Sequence, residues 1–283
     1  MPVLLSLCAA CAFGAGDFLG GVSARRAPAL SAAFVMLLTG FVGLSLWIPW
    51  TVDGGPTATT LGWGALAGVS GSLAALLLYP ALAIGDASEV APLSALIGTA
   101  GPVLFGVLLG ERPSASAWTG IVLAALAIVL VSARGAPLPG GHSEAPSQRR
   151  RALVMAAFSG IGISVFLIAF ERAGSEQGLL PLLVARAAAV ALFGLLLLVR
   201  RQRPWPARVS PAPALASGVL DIAANACFLT ALARAPLSIV ATLTNLYPAF
   251  TVLLAVVFLR DRPRPVQQFG LALALGAIVL ITR

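Results

Sequence analysis

The sequence contains no lysine, one histidine and only 10% charged residues among its 283 positions. A soluble globular domain carries about a quarter charged residues, so too few remain here to cover a surface in water. The chain is 59% hydrophobic with a mean hydropathy of +0.98, which predicts an integral membrane protein. The single histidine, His142, lies in a segment rich in proline and glycine. This position argues against a histidine metal site.

Other absences limit the chemistry. There are three cysteines, and the Cys8-x-x-Cys11 pair lies in an apolar segment without a strand–helix unit, so we interpret it as apolar filling. The chain has no D-x-x-x-D cluster and no G-x-x-x-x-G-K-[ST] loop. An intramembrane enzyme needs a metal cluster or an activated nucleophile, and an ATPase needs a phosphate-binding loop. We therefore expect no enzyme activity and no cofactor.

Long apolar runs are what the chain has in abundance. Each is about 17–24 residues long, enough for a helix to cross a ~30 Å hydrocarbon core. The predicted fold is all-α, with ten transmembrane helices in two blocks of five, separated by a polar, arginine-rich linker at 133–151. The predicted spans are 3–22, 31–50, 61–84, 90–109, 115–131, 152–170, 179–199, 214–233, 237–259 and 267–281.

An internal repeat divides the chain. Residues 68–132 recur without a gap as residues 218–282, with 23 identities in the 65 aligned pairs. The informative matches are Gly68/Gly218, Arg112/Arg262, Pro113/Pro263, Gly120/Gly270 and the acid pair Glu111/Asp261. Because five spans is an odd number, the second block must enter the membrane upside down. The chain is therefore predicted to be two inverted repeats, 1–132 and 152–283, an architecture typical of transporters.

Arginine placement predicts the orientation. The net charge is +8 and all 18 basic residues are arginine. Seventeen of them lie in connections between spans, which is typical of orientation signals and not of a nucleic-acid-binding surface. With the N-terminus outside, 13 arginines lie on the inner side and 4 on the outer side. The positive-inside rule thus favours both termini outside.

Three motifs carry a likeness to a known family. They are FGAGDFLGG at 13–21, LLGERPS at 108–114 and FLRDRPR at 258–264. With them the chain resembles the EamA family of the drug/metabolite transporter superfamily over nearly its whole length. The resemblance implies export or exchange of amino acids, metabolites or drugs. Many ten-span members have both termini in the cytoplasm, opposite to what the arginine distribution favours here.

Three charged residues lie inside predicted spans: Asp17, Arg186 and Asp221. Insertion of each charge into the membrane costs at least about 2.5–3.5 kcal/mol, which indicates that each residue has a functional or structural role. In the functional interpretation Arg186 anchors an anionic substrate group, while Asp221 or Asp17 takes a proton or meets a substrate amine. The alternatives are an Arg186–Asp221 pair that only joins helices, and an Asp17 that faces interfacial water near Arg25 and Arg26.

Polar groups on spans 8 and 9 complete the candidate site. Asn225 lies four residues after Asp221, hence on the same helical face. Asn245 and Tyr247 immediately precede Pro248, where the helix is expected to kink and free a backbone carbonyl. We predict substrate contacts for these two residues and for Asn225. The alternative is that they join helices through hydrogen bonds.

Some residues near the span ends are assigned to structure alone. The Gly106-x-x-x-Gly110 spacing permits close helix packing. Glu111 is expected to stay in its own turn, near the N-terminus of the next helix, where negative charge is favoured. For Tyr79, which is followed by Pro80, the sequence leaves two roles: it lines the cavity, or it anchors the helix at the membrane interface.

Together these features favour a secondary transporter in the bacterial inner membrane that moves a small organic solute by alternating access, with export preferred. A proton gradient, substrate exchange or downhill flow would supply the energy, and protons are a candidate coupling ion. A lipid-linked sugar flippase of the same superfamily is the alternative, and an intramembrane enzyme is less favoured. The expected partners are the bilayer and a small-molecule substrate, without nucleic acid; the number of subunits is left open.

Overall fold

The computed structural model describes residues 1–48, 55–85, 87–132, 146–174, 177–206, 209–259 and 264–281. Within these ranges the chain is helical and has no β-strand, which confirms the predicted all-α class. The helices are α1 (Pro2–Ala24), α2 (Ala29–Trp47), α3 (Ala58–Ile84), α4 (Ala87–Leu108), α5 (Ala115–Ser132), α6 (Pro146–Ala173), α7 (Leu180–Val199), α8 (Ala212–Leu232), α9 (Leu237–Thr244), α10 (Tyr247–Leu259) and α11 (Pro265–Ile281).

The apolar helices follow the predicted spans closely. Nine stretches of the described chain are long and apolar enough to cross a membrane, α9 and α10 together forming one of them, and α11 is a further apolar helix of 17 residues. One boundary differs: α6 begins at Pro146, inside the segment assigned to the linker. Proline opens a helix readily because its missing N–H would have no intrahelical partner there. Residues 49–54, at the end of predicted span 2, and 133–145 lie outside the described ranges.

The ninth span is interrupted between α9 and α10, at Asn245 and Leu246. Pro248 explains the break, because it has no N–H to donate to the carbonyl of Thr244. The backbone tightens locally, with the Leu246 N–H donating to the Leu243 carbonyl at 3.3 Å. The interruption lies where the sequence predicts a kink.

The helices of one half pack mainly against helices of the other. The main pairs are α3 with α6, α1 with α8, α5 with α11, α4 with α6, and α3 with α7. Each helix of the first half corresponds to the helix five spans later in the second half. Thus α1 corresponds to α6, α2 to α7 and α3 to α8. Under this correspondence, the counterpart of the α1–α8 contact is the α6–α3 contact, and both contacts are present. The counterpart of the α2–α8 contact is the α7–α3 contact, and both of these are present as well. The pattern of contacts therefore has the symmetry of the repeat.

Matched glycines lie at these contacts. Gly68 on α3 packs directly against the backbone of Ala185 on α7. Gly218 on α8 stands 150 residues later, and a Cβ there would lie 2.5 Å from the carbonyl oxygen of Met36 on α2. Both positions exclude a side chain because a backbone occupies the space. The Gly68/Gly218 identity in the repeat thus has the same structural cause in each half.

Gly120 and Gly270 form a second matched pair, between α5 and α11. A Cβ at Gly120 would lie 2.6 Å from Ile281 Cγ1, and one at Gly270 would lie 2.9 Å from Val131 Cγ2. Ile281 itself stands 150 residues after Val131. The two contacts are therefore equivalent under the exchange of halves, and any larger side chain would push the two helices apart.

Successive spans cross in alternate directions, so their connections lie at two ends of the bundle. We define the arginine-rich end by the described residues Arg25, Arg26, Arg149, Arg150, Arg151, Arg200, Arg201, Arg203 and Arg264. The arginine-poor end carries Arg112, Arg172 and Arg234. The described arginines therefore keep the strong asymmetry seen in the sequence.

A buried apolar cluster fills the arginine-poor end. Its core, which we call the closing cluster, consists of Leu44, Phe170, Leu182, Phe228 and Val240, each no more than 1% exposed. These side chains come from α2, α6, α7, α8 and α9, in each case from the part of the helix near that end. Five helices are thus packed together there through buried apolar side chains.

Candidate functional site

A cavity of about 260 Å³ lies between α1, α2, α3, α6, α7, α8 and the break between α9 and α10. Most of its wall is apolar or aromatic. Its polar and charged lining residues are Asp17, Ser72, Tyr79, Arg186, Asp221, Thr244, Asn245 and Tyr247. An apolar cavity with a few convergent polar groups is the usual form of a small-molecule site.

Five of the six residues predicted as substrate contacts line this cavity: Asp17, Arg186, Asp221, Asn245 and Tyr247. Asn225 does not line it. Its fully buried amide donates to the Asp221 backbone carbonyl at 2.8 Å and to Asp221 Oδ1 at 3.3 Å. Asn225 therefore orients the Asp221 carboxylate from outside the cavity.

Arg186 on α7 and Asp221 on α8 form an ion pair in the cavity wall. Their side chains are 8% and 17% exposed, so removal of one partner would leave the other charge buried and uncompensated. Gly40 on α2 leaves room for the arginine, because a Cβ there would lie 3.3 Å from Arg186 Cδ. The buried Arg186 Nε has no hydrogen-bond partner within the described ranges, so one donor of the guanidinium stays free.

Asp17 is the second carboxylate of the cavity. Within the described chain it makes no hydrogen bond or ion pair, with Arg25 and Arg26 or with any other residue, and its side chain is accessible. Asp221, Tyr79 and Tyr247 line the same cavity. Asp17 is thus a charged group in the cavity without a partner of opposite sign.

The interruption of the ninth span brings two further polar groups to the wall. Asn245 donates through its amide to Thr99 Oγ1 at 3.2 Å and to the Gly98 carbonyl at 3.4 Å. These bonds tie the break to α4. Thr244 Oγ1 is buried and has no partner among the described residues, so a hydroxyl faces the cavity region unsatisfied.

The aromatic part of the wall is what sequence reasoning missed. Phe13, Phe166, Phe170 and Phe193 line the cavity, and none of them stands out by charge or motif. Phe166 and Phe170 are four residues apart on one helix face, with ring centroids 4.8 Å apart. Such spacing also occurs on lipid-facing helices, so it could not single them out. Tyr79, left open by the sequence, lies in the cavity wall.

Access to the cavity differs between the two ends. Tyr79, which lies toward the arginine-rich end, exposes 57% of its surface. Leu167 and Phe170, which bound the cavity toward the arginine-poor end, are 3% and 1% exposed. Leu229, the repeat counterpart of Tyr79, packs with the closing cluster and is 3% exposed. Among the described residues, the cavity wall is therefore more exposed toward the arginine-rich end and more closely packed toward the arginine-poor end.

Glu111 connects the two halves at the sealed end. Its carboxylate accepts hydrogen bonds from the backbone N–H groups of Leu237 at 2.7 Å and of Ser238 at 3.1 Å, in the first turn of α9. The expectation that Glu111 stays within its own turn is wrong. It lies at a helix N-terminus, as expected from charge, but that helix belongs to the second half of the chain.

The Gly106-x-x-x-Gly110 spacing serves this carboxylate. A Cβ at Gly106 would lie 2.5 Å from Glu111 Oε2, so the glycine provides the space in which the carboxylate sits. Gly110 adopts φ +97° with no atom near a hypothetical Cβ, so it provides the turn that folds Glu111 back over α4. The interpretation of this spacing as helix packing is therefore wrong: both glycines position Glu111.

The nine to ten apolar helices of the described chain, around a cavity with buried charges, are the architecture of a multi-pass membrane protein. A sequence profile described as the EamA-like transporter family matches residues 1–133 and 150–283, so the chain belongs to the EamA-like transporter family. Its fold is also that of a crystal structure titled only "Crystal structure of protein", with a TM-score of 0.78 and 20% identity over 99% of this chain and 96% of that one. No curated protein matches the sequence.

Proposed function

We propose that the protein is a secondary transporter that moves a small organic solute across the bacterial inner membrane by alternating access, with export as the preferred direction. The observation that supports this proposal is the difference in exposure between the two ends of the cavity, with Tyr79 exposed and its counterpart Leu229 buried. A central site that is open to one side and sealed from the other is what alternating access requires.

The inverted repeat provides the route to the opposite state. The main helix contacts have counterparts when the halves are exchanged, and the matched glycines make equivalent contacts. Both observations support two interchangeable units, 1–132 and 152–283. If each half adopts the conformation now held by the other, the closing cluster separates and the arginine-rich end seals. No large rebuilding of either half is needed.

The substrate is proposed to contact the polar groups of the wall. Arg186, Asp221, Asn245 and Tyr247 line the cavity together. Protons are the proposed coupling ion, carried by Asp17 or Asp221. A volume of about 260 Å³ suits a small solute better than a lipid-linked sugar, which needs a long apolar groove.

The arginine-rich end is proposed to face the cytoplasm, with both termini outside. Nine described arginines lie at that end and three at the other, which is the bias that the positive-inside rule describes. The cavity then opens to the cytoplasm, and a solute can enter from inside the cell. This arrangement supports export.

Cysteine accessibility at Tyr79 and Leu229 tests the proposal. In a variant in which Cys8, Cys11 and Cys227 are replaced by alanine, a membrane-impermeant maleimide should label Tyr79→Cys rapidly and from the cytoplasmic side. It should label Leu229→Cys slowly and from the outside, because that position is reached only in the opposite state. Labelling of both variants from the same side would overturn alternating access, as would a Leu229→Cys variant that stays unreactive during measured solute flux.

A further inference from the structure

We infer that the substrate of this transporter carries a positively charged amine or ammonium group, and that Asp17 binds it among the rings of Phe13, Tyr79 and Tyr247. The inference rests on the proposed transport function and names the chemical class of its substrate. It follows from the charge balance of the cavity, from its aromatic wall and from the way α1 is fixed in the bundle.

The charges of the cavity do not cancel. Its wall holds one cation, Arg186, and two carboxylates, Asp17 and Asp221. Arg186 and Asp221 neutralise each other in an ion pair, which leaves the Asp17 carboxyl group without a counter-charge among the described residues. An unpaired charge at membrane depth is costly and is by default functional. The empty cavity is therefore complementary to a single positive charge.

The surroundings of Asp17 fit an organic cation. Phe13 lies one helical turn before it on α1, and the rings of Phe13 and Tyr247 meet edge to face with centroids 6.4 Å apart. Tyr79 and Tyr247 line the same cavity as this carboxylate. Aromatic faces attract cations, and several around one site are typical of ammonium recognition. A carboxylate with aromatic neighbours distinguishes an organic amine from an inorganic ion, which would need more oxygen ligands.

Glycines on α1 place Asp17 in this position. A Cβ at Gly14 would lie 2.7 Å from both the Tyr247 carbonyl oxygen and Phe250 Cβ, so α1 reaches α10 only because residue 14 is glycine. On another side of α1, Ser217 Oγ on α8 donates to the Gly16 carbonyl at 2.8 Å. The helix is thus held between α8 and α10. The glycines of the FGAGD segment thus allow the close helix packing that places the Asp17 carboxyl group in the cavity wall.

An anionic substrate held by Arg186, the interpretation favoured by sequence alone, fits the structure less well. The guanidinium is already engaged by Asp221, and an incoming carboxylate would add a second negative charge to a cavity that has one in excess. A substrate amine, by contrast, needs no existing bond to break. The observations therefore favour the amine as the group that provides recognition.

A matched set of ligands tests the inference on the purified full-length protein. Phenethylamine, 2-phenylethanol and 3-phenylpropionate share one ring and differ mainly in charge, and the concentration dependence of thermal stabilisation gives an apparent affinity for each. We expect phenethylamine to bind at least about tenfold more tightly than the other two. Asp17→Asn, which keeps the size of the side chain, should remove about that tenfold preference. The surface variant Glu89→Gln should leave it unchanged.

A second variant separates cation recognition from simple burial. Phe13→Leu keeps an apolar side chain but has no ring, so it should weaken phenethylamine severalfold and leave 2-phenylethanol nearly unchanged. Equal or tighter binding of 3-phenylpropionate, no stabilisation by phenethylamine, or an unchanged preference in Asp17→Asn would overturn the inference. The labelling of Tyr79→Cys and Leu229→Cys does not depend on ligand charge, so the transport proposal stands or falls separately.

Discussion

Replacement of Glu111 by alanine should release the sealed end of the bundle. The carboxylate accepts two backbone hydrogen bonds from the first turn of α9, and α9 supplies Val240 to the closing cluster. Hydrogen bonds to a charged group contribute about 1.5–3 kcal/mol each. Because water can satisfy the exposed N–H groups once the end opens, we take about 1.5–3 kcal/mol for the whole contact. That free energy corresponds to a roughly 10- to 150-fold larger population open at the arginine-poor end.

The assay is labelling of a cysteine inside the closing cluster. Leu182 is fully buried there, so Leu182→Cys reacts with an impermeant maleimide only when that end opens. Adding Glu111→Ala should raise the labelling rate roughly 10- to 150-fold. Glu111→Gln should have a smaller effect, because its amide oxygen can still accept a hydrogen bond. Ala156→Cys, buried near the arginine-rich end, should stay protected, which distinguishes opening of one end from general unfolding.

A matched control carboxylate is available at the other end of α4. Glu89 also makes two charge-assisted hydrogen bonds, both at 2.8 Å to Arg149, but the two side chains are 38% and 59% exposed. Exposed pairs of this kind contribute about 0–1 kcal/mol, so Glu89→Ala should leave labelling of Leu182→Cys nearly unchanged. An unchanged rate in Glu111→Ala, or an equal increase in Glu89→Ala, would refute the assignment of Glu111 as the contact that holds the end closed.

Three further predictions follow from the same geometry. Gly106→Ala should mimic Glu111→Ala in the labelling assay, since a Cβ would occupy the space of the carboxylate; a wild-type rate would show that the turn can adjust. Asp221→Asn should lower stability by about 3–5 kcal/mol, because it leaves the Arg186 charge buried and unpaired, and adding Arg186→Gln should restore part of the loss in chemical unfolding. If Asp221 carries the coupling proton, Asp221→Asn also removes the pH dependence of flux in proteoliposomes. A C-terminal reporter active only in the cytoplasm should be silent; a bright signal would contradict the proposed orientation.

The fold was readable from the sequence because its signals are long and redundant. Apolar runs of membrane-crossing length give the helices, and Pro248 gives the position of the break in the ninth span. The conserved spacing of Gly68 and Gly218 reports a contact in which a backbone fills the space of a side chain. The need for apolar side chains across the membrane affects most residues of each helix. A single sequence therefore contains many residues that indicate the same helix.

The site was predictable only in part, for a physical reason. Charges at membrane depth are rare enough to be noticed singly, which is why Asp17, Arg186 and Asp221 could be named. Phenylalanine is equally at home in a cavity wall, a core or a lipid-facing surface, so Phe193 and its neighbours gave no signal. The partner of Glu111 lies 126 residues away in the chain, and nothing local to its turn points to α9.

If the two halves exchange conformations as proposed, a tyrosine at 79 where the other half has a leucine at 229 would make the two conformations unequal in energy. In the reversed state, position 79 would enter the dry packing that Leu229 now occupies, and its hydroxyl would lose water. An unsatisfied hydroxyl costs about 1–3 kcal/mol to bury, so in the proposed mechanism the protein without substrate would favour the conformation that is open at the arginine-rich end. A substrate that forms a hydrogen bond with this hydroxyl would remove the free-energy difference between the two conformations. The conformational change would then occur mainly with substrate bound.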